Sequence, residues 1–183
     1  DYHSLTEEFN AKEKPAQIES LIKEYLAAGL DPQKSTIFIQ SHAPQVTELA
    51  WILSALTPFG ELGRMTQFKE KTKDKESSNA GLFTYPILMA ADILLYDTDS
   101  VPVGEDQLQH LELARTLARK FNTKFGETFK EPKPLLTKIP RLMSLQNAQK
   151  KMSKSDPAGC LFLDDSPETI KEKIKKAEAD SHS

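Results

Sequence analysis

Three groups of residues in this chain have types and spacings that could do chemistry. Lys151-Met152-Ser153-Lys154-Ser155 follows Lys150 and precedes Asp156-Pro157, which favours a turn. Lysine carries a point charge on a flexible stem, and serine is a short hydrogen-bond donor. Together they suit a loop that grips a polyphosphate, whereas an arbitrary run of lysines is only solvated surface. Tyr85, Met89 and Asp92 stand at i, i+4 and i+7, which puts them on one face of a helix. A phenol, a thioether and a carboxylate converging from an otherwise apolar helix suit a small-molecule pocket. Burying the Asp92 carboxylate unpaired is costly, so it needs a donor, and a salt bridge to a neighbouring element would serve equally. In Gly104-Glu105-Asp106-Gln107, the glycine lets backbone approach a ligand and Asp106 stands at a helix start. An ordinary acidic N-cap gives the same pattern. His110, one turn on, reads as a packed or surface histidine rather than a catalyst.

Elements must hold these groups in place. Ile18, Leu21, Ile22, Tyr25 and Leu26 predict an amphipathic helix over 15–28, opened by Pro15 and closed by Gly29 as a left-handed cap. Thr36-Ile37-Phe38-Ile39 reads as a strand buried on both faces of a parallel sheet. Pro44 opens a helix whose Leu49, Trp51, Ile52, Leu53 and Leu56 give a wide apolar face, and Pro58 stops it. Residues 69–79 are polar and without periodicity, so they read as a mobile loop. A helix is expected from Leu82 to Tyr96, with Thr84 as its cap and Pro86 in its first turn. Val101-Pro102-Val103 is a strand ending at Gly104, and a helix follows from Glu105 to Phe121. Strand, glycine, helix is the order of an α/β fold with a doubly wound parallel sheet, which is the class expected here. Residues 125–140 read as a connector, Leu161-Phe162-Leu163 as a short strand, and Thr169–Ala179 as a last charged helix.

Composition narrows the classes. Against 24 basic residues stand 27 acidic ones, a net charge of −3, so no global basic field gathers nucleic acid. Any RNA contact must be local or lie on a part of the molecule outside these residues. The single cysteine, Cys160, excludes an internal disulfide and a cysteine-based zinc cluster. It suits a reducing compartment, and a cytoplasmic location is expected. No apolar run approaches the ~20 residues that span a bilayer, so no membrane partner is expected. The chain opens on Asp1 without Met, inside what reads as a strand end, and suggests a piece of a longer protein.

The motifs quoted above resemble, in order, those of bacterial-type tryptophanyl-tRNA synthetases. KMSKS at 151–155 matches the signature loop of class I aminoacyl-tRNA synthetases, and Tyr85-Pro86-Ile87-Leu88-Met89-Ala90-Ala91-Asp92 resembles the family's amino-acid helix. The resemblance implies that Asp92 accepts the indole N–H, and that Tyr85 and Gln107 reach the α-amino group. Met89, where tyrosyl relatives carry glutamine, points to an indole over a phenol. Val101 to Gln107 looks like the adenosine motif. It assigns Gly104, Glu105 and Asp106 to ATP, with Asp106 on the ribose hydroxyls and Leu142 against adenine. Met65-Thr66-Gln67-Phe68-Lys69-Glu70-Lys71 also matches. It places Gln67 near the substrate carboxylate and Lys71 on the phosphates. Asp1-Tyr2-His3 resembles the Asp-x-His strand end that sets His3 beside the indole.

By that resemblance the intact protein joins tryptophan to ATP, then to the terminal ribose of tRNA(Trp). Lys151, Ser153, Lys154 and Lys71, with Mg2+ carried by the ATP phosphates, would neutralise the departing pyrophosphate. Met152 and Ser155 complete the ATP loop, and no metal site on the protein itself is expected. Residues 1–150 would be a partial Rossmann-like catalytic domain. Residues 151–183 would hold the loop and lead to a C-terminal helical anticodon-binding domain. The family's HIGH-type ATP motif has no counterpart here, since Ser41-His42-Ala43-Pro44 follows a later strand and lacks the glycine. These residues alone are therefore expected to be catalytically incomplete. A homodimer is implied by the family. Tyrosyl specificity and a non-catalytic tryptophan- or nucleotide-binding module are the competing expectations.

Overall fold

In the computed structural model, residues 1–66, 79–136, 142–153 and 156–178 are described. Helix α1 (Lys14–Ala27) takes Pro15 in its first turn, where the missing N–H costs nothing. It is closed at Gly29, whose φ of +97° is the left-handed conformation expected of it. Its apolar stripe is not buried: Leu21, Tyr25 and Leu26 are all exposed.

Contacts divide the chain into two compact units. One combines Asp1–Ser20 with Asp31–Thr137, and the other combines Leu21–Leu30 with Lys138–Ser183. In the first, α2 (Gln45–Leu56) follows Pro44, and Pro58 separates it from the single turn α3 (Phe59–Leu62). Helix α4 (Ala80–Leu94) packs between α2 and α5 (Leu108–Phe125). The core between them is Val46, Leu49 and Leu53 from α2, Ile87, Ala90, Ala91 and Leu94 from α4, and Leu111, Ala114, Leu117 and Ala118 from α5. Each buried leucine or isoleucine contributes roughly 1.5–3 kcal/mol. The alanines let the helices approach closely.

The apolar face expected of α2 is half used. Leu53 is buried, while Trp51 is 77% exposed and Ile52 lies on the surface. The cap of α4 is Asn79, whose side chain accepts from Leu82 N, rather than Thr84. The Thr84 hydroxyl donates instead to Ala80 O, 2.9 Å away. Pro86 sits inside the helix and is fully buried, so the chain accepts a missing bond in mid-helix to gain core volume. Helix α5 begins with a 3-10 turn at Glu105–Gln107 and runs four residues beyond the Phe121 expected.

Strand β1 (Ser100–Val103) pairs in parallel with β2 (Lys133–Leu136), with Ser100 opposite Lys133 and Val103 opposite Leu136. This small parallel sheet with helices makes the unit α/β. β2 lies inside the stretch read as a connector: its four residues are all exposed and include Pro134, so no apolar pattern marks it. Thr36–Ile39 is not a strand, because no neighbour among the described residues completes its ladder. It leads instead into a 3-10 turn, Gln40–His42, with Phe38 half exposed against the Tyr96 ring.

The second unit contains the hairpin of β3 (Met143–Ser144) and β4 (Asn147–Lys151) and helix α6 (Pro167–Lys175). Ser166 caps α6 through Thr169 N, so the helix starts before the expected Thr169 and ends at Lys175. Leu161–Leu163 is not a strand: Asp165 turns the chain back by accepting from Phe162 N at 2.9 Å. Lys173 holds the same carboxylate at 2.6 Å, and with that backbone bond keeps Asp165 below its ordinary pKa.

Candidate functional site

The α4 face read from the sequence opens onto a cleft of about 520 Å³ in the first unit. His3, Ser4, Thr6, Glu7, Tyr85, Met89 and Gln107 line it. Four of the six residues assigned to tryptophan are thus brought together, from three separate stretches of chain. His3 arrives on a 3-10 turn, His3–Thr6, rather than at a strand end. That turn is tied to α4 by its cap residue, since Asn79 Nδ2 donates to Thr6 O at 3.0 Å. The His3 and Tyr85 rings meet edge to face, their centroids 6.3 Å apart.

Asp92 lies one turn beyond Met89, and donors hold both of its oxygens. His3 Nε2 is 2.7 Å from Oδ2, and Gln40 Nε2 donates to Oδ1 at 2.7 Å. The side chain is 29% exposed, so the carboxylate is partly withdrawn from water without being sealed off. A carboxylate offers about four lone-pair directions, and two are engaged here. The donor that the sequence demanded for Asp92 therefore exists twice over. Neither donor rules out a third.

Tyr85 makes a second polar link inside the apolar layer. Its hydroxyl lies 2.8 Å from Nε2 of His110, which is completely buried on α5. Burial raises the phenol's pKa. Burial also lowers that of the imidazole, more than the nearby Asp106 carboxylate raises it, with His3 acting in the same sense as burial. A neutral imidazole can accept the phenol proton, which leaves the phenol oxygen free to accept from a cation. Nδ1 of His110 has no partner among the described residues.

The nucleotide candidates of this unit gather at the end of β1. Gly104 is extended, and a side chain there would press on the Asp106 carboxylate, which folds back against it. Gln107 donates to Asp106 Oδ2 at 3.0 Å. Upstream, Thr66 N is held by Gln109 Oε1 at 2.9 Å. Gln67, Lys69 and Lys71 lie outside the described residues.

In the second unit, Lys150 and Lys151 end strand β4 with their side chains in solvent. Lys151 pairs across the hairpin with Met143, and Met152 N donates to Leu142 O at 2.9 Å. Leu142 is 61% exposed. Ser153 is exposed, and its carbonyl accepts from Asp156 N at 3.0 Å. Lys154 and Ser155 lie outside the described residues. Among those described, no group of three or more His, Cys, Asp or Glu is arranged to hold a metal ion, and no helix is long and apolar enough to cross a membrane.

Reasoning from sequence missed Gln40 entirely and left His110 undecided between core and surface. His110 falls on the stripe of Leu111, Ala114 and Ala118, which was the available signal for burial. Gln40 gave a weaker one: a lone amide directly after an apolar run.

Comparison with known proteins matches all of residues 1–183 to one family model, described as class I tRNA synthetases (W and Y). The chain is 56% identical over 186 residues to a tryptophan–tRNA ligase of Caldanaerobacter subterraneus subsp. tengcongensis, covering 100% of this chain and 57% of the relative. It superimposes on a Campylobacter jejuni tryptophanyl-tRNA synthetase complexed with ADP and tryptophan at a TM-score of 0.89 and 39% identity. That match covers 100% of this chain and 56% of the other. The Mycoplasma pneumoniae tryptophanyl-tRNA synthetase gives 0.91 and 40%, covering 98% and 55%. The chain thus spans a little over half the length of these relatives.

Proposed function

The chain belongs to the class I tRNA synthetases for tryptophan and tyrosine, and from that premise we propose that it is the amino-acid-selecting part of a tryptophan–tRNA ligase. One observation carries the choice of amino acid. Asp92, clamped between His3 and Gln40, stands beside a cleft lined by Tyr85 and Met89. A fixed carboxylate with acceptor capacity to spare is complementary to an indole N–H, and a side chain lacking that donor covers it without returning the bond to water that it displaces. Met89 gives the ring an apolar, polarizable surface. The phenol oxygen of Tyr85, its proton turned toward His110, accepts from the α-ammonium together with Gln107.

The reaction proposed for the whole protein is amino-acid activation followed by transfer. The tryptophan carboxylate attacks the α-phosphorus of ATP, and the bond to the bridging oxygen of pyrophosphate breaks. A hydroxyl of the terminal ribose of tRNA(Trp) then attacks the carbonyl carbon of the adenylate, the ester forms, and AMP leaves. The substrate supplies the nucleophile, so the protein's task is positioning and charge stabilisation. Asp106, beside Gly104 and Glu105, would hold the ribose, and Leu142 would cover the adenine. Lys151, Lys154 and Lys71 would neutralise the leaving pyrophosphate, with Met152, Ser153 and Ser155 shaping the loop and Gln67 near the substrate carboxylate. Mg2+ would arrive on the nucleotide's phosphates.

In this proposal, residues 1–150 are part of a doubly wound catalytic domain, and residues 151–183 lead toward a tRNA-reading domain. The protein works in the cytoplasm as a homodimer, for which Trp51, 77% exposed, and Phe59, 78% exposed, supply apolar surface. The chain alone is proposed to bind amino acid with little or no pyrophosphate exchange. Titrating the chain with tryptophan and with tyrosine by calorimetry tests the specificity. Tryptophan should bind about a hundredfold more tightly. Equal affinities would reject the tryptophan assignment.

A further inference from the structure

We propose that Gln40 is a positioning residue for amino-acid selection, its side-chain amide locking one oxygen of Asp92 so that the other edge of the carboxylate is offered to the cleft. The inference rests on the reading of Asp92 as the acceptor for the indole N–H.

The orientation of the Gln40 amide follows from chemistry at both of its ends. Amide oxygen and nitrogen are usually assigned only by their partners. Here one partner is the backbone N–H of Tyr2, which can only donate, and it lies 3.1 Å from Oε1. The nitrogen must then face Asp92, and Nε2 donates to Oδ1 at 2.7 Å. The other oxygen, Oδ2, is the one His3 reaches, and His3 lines the cleft. Oδ1 is therefore the side anchored by Gln40, and Oδ2 the side that meets His3, a residue of the cleft wall. Both polar ends of the Gln40 side chain are taken up, by Tyr2 N and by Asp92 Oδ1, so its effect on the ligand runs through Asp92.

The anchor is itself held. Gln40 opens the 3-10 turn Gln40–His42, and the next residue, Ser41, donates its N–H to Asp1 Oδ1 at 3.1 Å. Two bonds thus fasten this turn to the Asp1–His3 segment that carries His3. The terminal torsion of an aspartate is broad and roughly two-fold. Without a fixed donor on Oδ1, the carboxylate can rotate away from the direction the indole needs. A donor bond to a charged acceptor is among the stronger hydrogen bonds of a protein.

The test compares Gln40→Met and Gln40→Glu with the unaltered chain, using two probes. One is tryptophan. The other is its benzothiophene analogue, which keeps the ring shape but has sulfur in place of the N–H. Methionine fills the space without polar bonds. Glutamate can still accept from Tyr2 N but cannot donate to Asp92 as a carboxylate. Both variants should lose about tenfold in tryptophan affinity, the scale of one hydrogen bond to a charged group. Both should bind the analogue as the unaltered chain does, which also demonstrates that the cleft is intact. Equal weakening toward the two probes would reduce Gln40 to a structural role and overturn the proposal. So would unaltered tryptophan affinity in Gln40→Glu. If the unaltered chain does not itself prefer tryptophan over the analogue, the reading of Asp92 fails, and the inference falls with it.

Discussion

Asp92 and Lys151 carry the opposite charges on which the proposed chemistry turns, and the two are held in different ways. Asp92 sits on a helix packed on two sides, with a donor at 2.7 Å on each oxygen and one of those donors fastened by backbone. Lys151 ends a hairpin strand of five residues, four of them exposed, and its ammonium stands in solvent. The contrast suits the two tasks proposed for them. Selecting one side chain from twenty needs an acceptor that cannot move to suit the wrong ligand. Neutralising a diphosphate needs positive charge that can follow a group as it leaves, and lysine's long stem provides that. In the proposed scheme, the side chain that reads shape is bonded on both oxygens, and the one that supplies charge is exposed.

Perturbing each side in turn sharpens the contrast. Asp92→Asn should have the largest effect. The asparagine keeps one acceptor oxygen, which Gln40 takes, and its amino group then faces the cleft, donor against donor. Tryptophan affinity should fall about a hundredfold by calorimetry, with pyrophosphate affinity unchanged. Lys151→Ala should do the reverse and do it more weakly. Pyrophosphate affinity should fall about tenfold at low ionic strength, and the difference should shrink as salt screens an exposed charge. Tryptophan affinity should stay the same. A comparable tryptophan loss in Lys151→Ala would erase the distinction between the two regions.

The smallest effect concerns His110. Its pKa lies below the ordinary imidazole value because burial disfavours the charged form. As pH falls below about 6.5, the unfolded chain takes up the proton and the folded chain does not. Stability is therefore complete above that pH and declines until the folded pKa is passed. Tyr85, Asp106 and His3 are the titratable groups facing it. Denaturant titrations from pH 7.5 to 5 should show a shallower decline in His110→Gln than in the unaltered chain. Parallel declines would mean that His110 does not carry this linkage.

Much of this pocket is legible in the sequence, because a helix face needs only local spacing. Tyr85, Met89 and Asp92 share a face by arithmetic, and the structure places Tyr85 and Met89 on the cleft, with Asp92 bonded to His3 of its wall. What stayed hidden was non-local. Gln40 reaches Asp92 across 52 residues, and no pattern within its own segment announces that bond. β2 carries Pro134 and four exposed residues, and it is a strand only because β1 lies beside it. Thr36–Ile39 erred in the other direction. Its composition suits a buried strand, but a strand also needs a neighbour to complete its ladder, and composition cannot report one. The cap of α4 went to Asn79 rather than Thr84 because Asn79 also reaches back to Thr6, a contact that local propensity does not contain.

The central claim is that the Asp92 carboxylate receives the ring N–H of tryptophan. A crystal structure of the chain grown with tryptophan tests it directly. The account predicts the indole nitrogen about 2.7–3.2 Å from an Asp92 oxygen, with the ring against Met89 and Gln40 still bonded to Oδ1. An indole N–H directed at solvent or at any other side chain, with Asp92 holding only His3 and Gln40, would contradict it.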